Sequence, residues 1–148
     1  MDNNCLICKR IDEIKSEKNP YFVAELETGF VILEDYQYFE GYTLFLSKIH
    51  ARELYELDKD FKNMFLEEMS TVAEAVSKTF KPQKLNYELL GNSEPHLHWH
   101  IIPRYAGDPN IKQPIWVLDK SIRKSEKLKE ESSKKLDELK NKLLSNLR

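Results

Sequence analysis

The chain reads as an α+β protein built on one mainly antiparallel sheet, and three observations carry that reading. The elements fall in the order helix, three strands, long helix, two strands. Thr28-Gly29 stands between two apolar runs, where it predicts the turn of a hairpin. One long stretch, from Glu53 to Phe80, repeats its apolar residues near helical period.

The elements follow in order. From about Cys5 to Lys18 the spacing predicts a short helix with Leu6, Ile7, Ile11 and Ile14 on one side. "YFVAELETGFVILEDY" is the hairpin. "GYTLFLSKIH" opens with Gly41, runs apolar to Leu46 and predicts a central strand ending near Lys48, which leaves His50 just past its end. In the long helix Asp58 is the expected N-cap, Phe61, Phe65, Val72, Val76 and Phe80 form the apolar face, and Pro82 stops it. "KLNYELLGNS" predicts a strand running into a Gly-Asn-Ser turn, and "PHLHWHIIPRY" the last strand. The segment 120–148 lacks Gly and Pro, and Leu136, Leu139, Leu143 and Leu147 share one helical face. That face can pack on the domain or on a partner subunit, or the segment can be a charged, solvated extension. The organisation expected is thus a main domain over 1–119 and an amphipathic helical extension over 120–148.

At 148 residues the chain fits one domain able to bury a core without staples. A net charge of −2 gives no reason to expect long nucleic acid or an anionic membrane as partner, though a small phosphorylated ligand fits a local site. No run approaches transmembrane length and "MDNNCLICKR" has no apolar signal core, so a cytoplasmic protein is expected. Both cysteines lie in one C-x-x-C, which fits reduced thiols for metal or redox chemistry better than a structural disulfide.

Three of the four histidines, His96, His98 and His100, stand at two-residue spacing. On an extended strand they line one face, with Leu97, Trp99 and Ile101 on the other. The run "HLHWHII" resembles the His-φ-His-φ-His-φ-φ signature (φ apolar) of the histidine triad hydrolases and nucleotidyltransferases, matching it at all seven positions. "GYTLFLSKIH" and Pro103-Arg104 are similar to further family segments, and "LNYELLGNSEPHLHWHIIPRY" looks most like the diadenosine tetraphosphate hydrolase-like branch. The resemblance runs from about Cys5 to Tyr105 and leaves the tail unexplained. It implies the family's fold: a five-stranded, mainly antiparallel sheet with a long helix packed on it, in a two-fold homodimer.

Nucleotidyl transfer needs an in-line nucleophile, neutralised phosphate charge and a protonated leaving group. Imidazole titrates near neutrality and can serve all three needs. By the resemblance, His98 attacks the α-phosphorus of a nucleotide, and water or another acceptor takes the nucleotidyl group from the histidine. Attack requires an unprotonated ring nitrogen, so the other nitrogen of His98 should donate to a fixed acceptor such as a backbone carbonyl. His100 then contacts the phosphate or the departing group. The resemblance also implies phosphate contacts from Asn92, where Gln is more usual, and Ser93. It implies a ribose contact seven positions before Gly41, at Glu34, with Asp35 adjacent, and further substrate contacts at Asn86 and Arg104.

Cys5-x-x-Cys8 by itself admits zinc, a redox dithiol or no function. A thioredoxin-like motif would lie between a strand and a helix, and nothing before Cys5 reads as a strand. In zinc-bearing members the resemblance implies Cys5, Cys8, His50 and His96 as ligands, and every position is filled. Four protein ligands leave no open position, which makes the metal structural. Without zinc, His50 and His96 would hydrogen-bond within the fold. Beside hydrolysis of a dinucleoside polyphosphate or nucleoside phosphoramidate, two other functions are open: transfer to an acceptor other than water, and a nucleotide- and zinc-binding module with incidental catalysis.

Overall fold

The computed structural model describes residues 4–127 and 133–147. Its frame is a five-stranded sheet in the order β1-β2-β3-β5-β4, with every neighbouring pair antiparallel. The strands are β1 (Phe22–Glu25), β2 (Gly29–Leu33), β3 (Thr43–Ser47), β4 (Lys84–Glu88) and β5 (His98–Arg104). The helices are α1 (Leu6–Lys15), α2 (Lys59–Phe80), α3 (Lys120–Arg123) and α4 (Ser133–Leu147). The expected α+β class and central strand are both present.

β2 and β3 are buried at every residue because both faces of the sheet are covered. On one face Phe45 stacks on Phe65 of α2, ring centroids 5.4 Å apart. On the other face Leu44 and Leu46 lie opposite His100 and His98, so β3 places an apolar floor beside the histidines. α2 buries Phe65, Val72, Ala73, Ala75 and Val76, and ends at left-handed Lys81 just before Pro82. Asp58 occupies its N-cap position, but the Asp58 side chain makes no capping hydrogen bond.

Four expectations shift. α1 ends at Lys15 rather than Lys18, and Leu6 turns outward at 42 % exposure while Ile7, Cys8 and Ile11 are buried. The hairpin turn falls at Leu26–Thr28, and Gly29 opens β2 instead, since a Cβ there would stand 2.5 Å from the Leu46 carbonyl oxygen. β5 starts at His98, so His96 precedes the strand. The tail is not one helix: α3 ends at Arg123, and Lys127 forms an isolated antiparallel bridge with Tyr36 before α4. The tail's residues 128–132 and 148 lie outside the described residues.

α4 answers where the leucine face goes. Leu136, Leu139 and Leu143 are buried, and the helix packs against α2 and β1. Lys140 donates to the Pro20 carbonyl at 2.9 Å and Asn146 to the Thr79 hydroxyl at 2.8 Å. No helix among the described residues is long and apolar enough to cross a membrane.

Candidate active site and metal cluster

The three histidines are not equivalent, because each meets a different partner. His96 Nε2 lies 2.7 Å from the Ser47 carbonyl oxygen. A carbonyl only accepts, so Nε2 carries the proton and the lone pair of His96 is on Nδ1. His98 reverses this: its Nδ1 lies 2.7 Å from the His96 carbonyl, which puts the proton on Nδ1 and leaves Nε2 unprotonated. The backbone acceptor expected for His98 is therefore its neighbour two residues back. His100 Nδ1 lies 2.6 Å from the Tyr42 hydroxyl.

The lone pair of His96 faces a cluster. Its Nδ1 is 3.4 Å from Cys5 Sγ, 3.5 Å from Cys8 Sγ and 3.1 Å from His50 Nδ1, and Cys8 Sγ is 3.2 Å from His50 Nδ1. Ligand atoms around a tetrahedral zinc are separated by roughly 3.3–3.8 Å, as bond lengths of about 2.0–2.3 Å require. All four ligand atoms here lie within 4.8 Å of one another. The spacing and the two-nitrogen, two-sulfur donor set therefore fit such an ion. α1 positions both sulfurs: Cys5 is its N-cap, and Cys5 Sγ accepts the Cys8 amide at 3.2 Å. Neither cysteine is in a disulfide.

His98 and His100 follow on β5, ring centroids 4.9 Å apart. Burial lowers the pKa of both, and for His100 the adjacent His98 adds to the effect and brings it to about 4. Both rings are thus neutral near neutral pH. An unprotonated Nε2 on a neutral, fixed imidazole can attack an electrophilic phosphorus. His98 shares a cavity with Arg52, Gly91 and Pro95. Trp116 approaches His100 edge-on at 6.1 Å, and its indole donates to Glu88 at 2.5 Å.

The remaining predicted residues divide into three groups. Asn92 and Ser93 stand exposed in the loop before His96, beside Gly91. Glu34 and Asp35 follow β2 and are half-buried; Asp35 pairs with Arg10 at 3.5 Å, while burial pushes the Glu34 carboxyl up to about 7 against the opposing pull of Arg10. Asn86 and Arg104 bind each other at 3.2 Å. Arg104, only 1 % exposed, also holds Asp108 at 3.2 Å and the Gln113 carbonyl at 2.6 Å, and lies over the Phe39 ring. Their polar atoms are taken up inside the fold, where they tie down the loop after β5.

Tyr42, Arg52, Trp116 and Glu88 were not singled out from the sequence. Arg52 had a signal, a cation two residues after a predicted metal ligand. The other three read as ordinary strand or loop residues.

Residues 15–107 match the family model described as HIT domain. The Bacillus subtilis protein named "Protein hit" is 34% identical over 109 residues, spanning 70% of this chain and 72% of that protein. A histidine triad protein from Marinobacter aquaeolei superposes with a TM-score of 0.72 at 27% identity, covering 86% of this chain and 90% of that one. A zinc-bound histidine triad family protein from Mycobacterium smegmatis superposes with a TM-score of 0.64 at 19% identity, covering 97% and 93%.

Proposed function

The chain belongs to the histidine triad (HIT) family, and from that premise we propose that it is a nucleotidyl hydrolase with His98 as nucleophile. The observation that carries this is the His98 Nδ1–H···O=C contact to His96 at 2.7 Å, which keeps the Nε2 lone pair available on a ring that lines the cavity. Nε2 attacks the α-phosphorus, an Nε2–P bond forms, and the bond from phosphorus to the leaving group breaks. The leaving group takes up a proton. Water then attacks the same phosphorus, the N–P bond breaks, and a nucleoside monophosphate leaves.

Asn92 and Ser93, exposed in the loop after Gly91, are the proposed donors to phosphate oxygens. Glu34 is the proposed acceptor for ribose hydroxyls. The substrate is a dinucleoside polyphosphate such as diadenosine tetraphosphate, or a nucleoside phosphoramidate. Transfer to an acceptor other than water would use the same first step. Cys5, Cys8, His50 and His96 are proposed to hold a structural zinc; the interatomic spacing supports this, as does the zinc-bound Mycobacterium smegmatis protein. Bound there, the ion supplies a crosslink between α1, the segment after β3 and the residue before β5. A cytoplasmic homodimer completes the reading, supported by the two thiols outside any disulfide and by family resemblance.

His98→Ala tests the mechanism. Turnover of both substrate classes, with products followed by mass, should vanish while nucleotide binding and melting temperature are largely kept. Hydrolysis that persists in this variant would falsify the covalent route.

A further inference from the structure

We propose that the Tyr42 hydroxyl is a positioning group that holds the ring proton of His100 on Nε2, making His100 a fixed hydrogen-bond donor beside the His98 lone pair. The contact is short, Oη to Nδ1 at 2.6 Å, and Tyr42 is only 7 % exposed. Either atom could in principle donate, and satisfaction of the phenol decides between them. If His100 Nδ1–H donated to the oxygen, the buried phenol proton would have no acceptor among the described residues, which is unfavourable for a buried donor. If the phenol donates, its proton is satisfied and the His100 proton goes to Nε2, an atom of a half-buried ring that is not sealed from solvent or ligand.

The backbone around Tyr42 is built to hold the ring in place. Gly41 sits at φ +94, and a Cβ there would come within 2.5 Å of the Phe80 ring. Gln37 clamps the same turn, accepting the Gly41 amide at 2.8 Å and donating to the Tyr42 carbonyl at 2.9 Å. The Tyr42 amide donates to Phe39 and its carbonyl also accepts from Glu34. Leu44, two residues on, pairs with His100 across the sheet, so strand register sets the distance between phenol and imidazole.

The charged and titratable groups around the pair are Glu34 after β2, Glu88 on β4, Arg123 on α3 and His98 on β5. Burial and both carboxylates keep the phenol protonated, and burial with His98 keeps His100 neutral. A neutral imidazole has one N–H and one lone pair, so fixing one fixes the other. His98 and His100 then hold opposite tautomers, a lone pair and a donor on adjacent rings. What the donor serves, a phosphate oxygen or the departing group, rests on the nucleotidyl hydrolase reading; the position of the proton does not.

With only four histidines in the chain, ring-¹⁵N-labelled full-length protein gives a resolvable long-range ¹H–¹⁵N spectrum. His100 is expected as the Nε2–H tautomer and His98 as the Nδ1–H tautomer at neutral pH. In Tyr42→Phe, His100 should become a tautomer mixture while His96 and His98 keep their signals, which reports an intact fold. The turnover number should fall about tenfold, the worth of one hydrogen bond, with KM within about twofold and the acid limb of the pH profile moved upward. A wild-type His100 proton on Nδ1 overturns the proposal without recourse to any variant, and so does a His100 tautomer that ignores Tyr42→Phe. Wild-type protein that turns over no nucleotide would sink the hydrolase reading alone, because the spectrum still decides the role of Tyr42.

Discussion

Two of the triad imidazoles are oriented by main-chain carbonyls, and those carbonyls belong to residues of the same site. Ser47 ends β3 and fixes His96, while His96 fixes His98. The resemblance implied the roles of this row, but spacing alone described three like side chains on one face. What divides them is the bend before β5, a backbone event with no residue signature beyond Pro95. Tyr42 was illegible for a related reason: a phenol within an apolar strand reads as core, and its partner lies 58 residues away through sheet register. Glu34 gives a test at this scale. Burial pushes its carboxyl up to about 7 from the ordinary 4.5, so the folded state binds the proton more tightly than the unfolded chain. That contribution to stability is full below the unfolded value and is lost as pH rises through the folded one. Glu34→Gln, neutral at every pH, should therefore gain melting temperature over wild type at about pH 8 more than at about pH 5. An equal difference at both pH values would show that the carboxyl is not held protonated by burial.

Elements were legible where periodicity was strong and uncertain where tertiary contact sets their ends. α2 was readable because five apolar residues recur at helical spacing and Pro82 closes it. β3 was readable as central because Leu44, Phe45 and Leu46 form an unbroken apolar run, as suits a strand covered on both faces. The last turn of α1 was not, because left-handed Glu17 (φ 60) follows it with no glycine to mark the place, nor was the start of β5, since His96 is held by Cys5 and Ser47, both distant in sequence. The leucine stripe of α4 was plain, but its destination was not, because an amphipathic helix carries no address for its partner. The fold supplies α2 and β1 as that partner. Leu143, fully buried, carries the prediction: Leu143→Ala should destabilise the chain by about 2–5 kcal/mol in denaturant unfolding. Leu147, at the helix end and only partly covered, should cost less on the same substitution. Equal, small losses for both would mean that α4 is undocked in solution.

At the scale of the whole molecule, the cluster and the proposed reaction centre form one mechanical unit. Cys5 caps α1 and Cys8 lies within it, His50 follows β3, and His96 precedes β5, so the four cluster residues join segments separated by 42 to 91 residues. The carbonyl of His96 is also the acceptor that orients His98. Any disturbance of His96 therefore reaches His98 through one peptide unit. Closing such long loops is costly for the free chain, and an ion bound to four fixed donors returns that cost as folding free energy. Purified wild-type protein should accordingly contain about one zinc per chain, and Cys8→Ser substantially less. Cys8→Ser should melt at a lower temperature, and a strong chelator should lower the wild type toward the variant while leaving the variant unchanged. Hydrogen exchange should quicken at α1 and around His96 before the β2–β3 core responds, because that core is held by its own ladder and packing rather than by the cluster. Equal zinc content in both proteins would remove the metal from the account, leaving the four side chains to hold α1 in place by their mutual contacts.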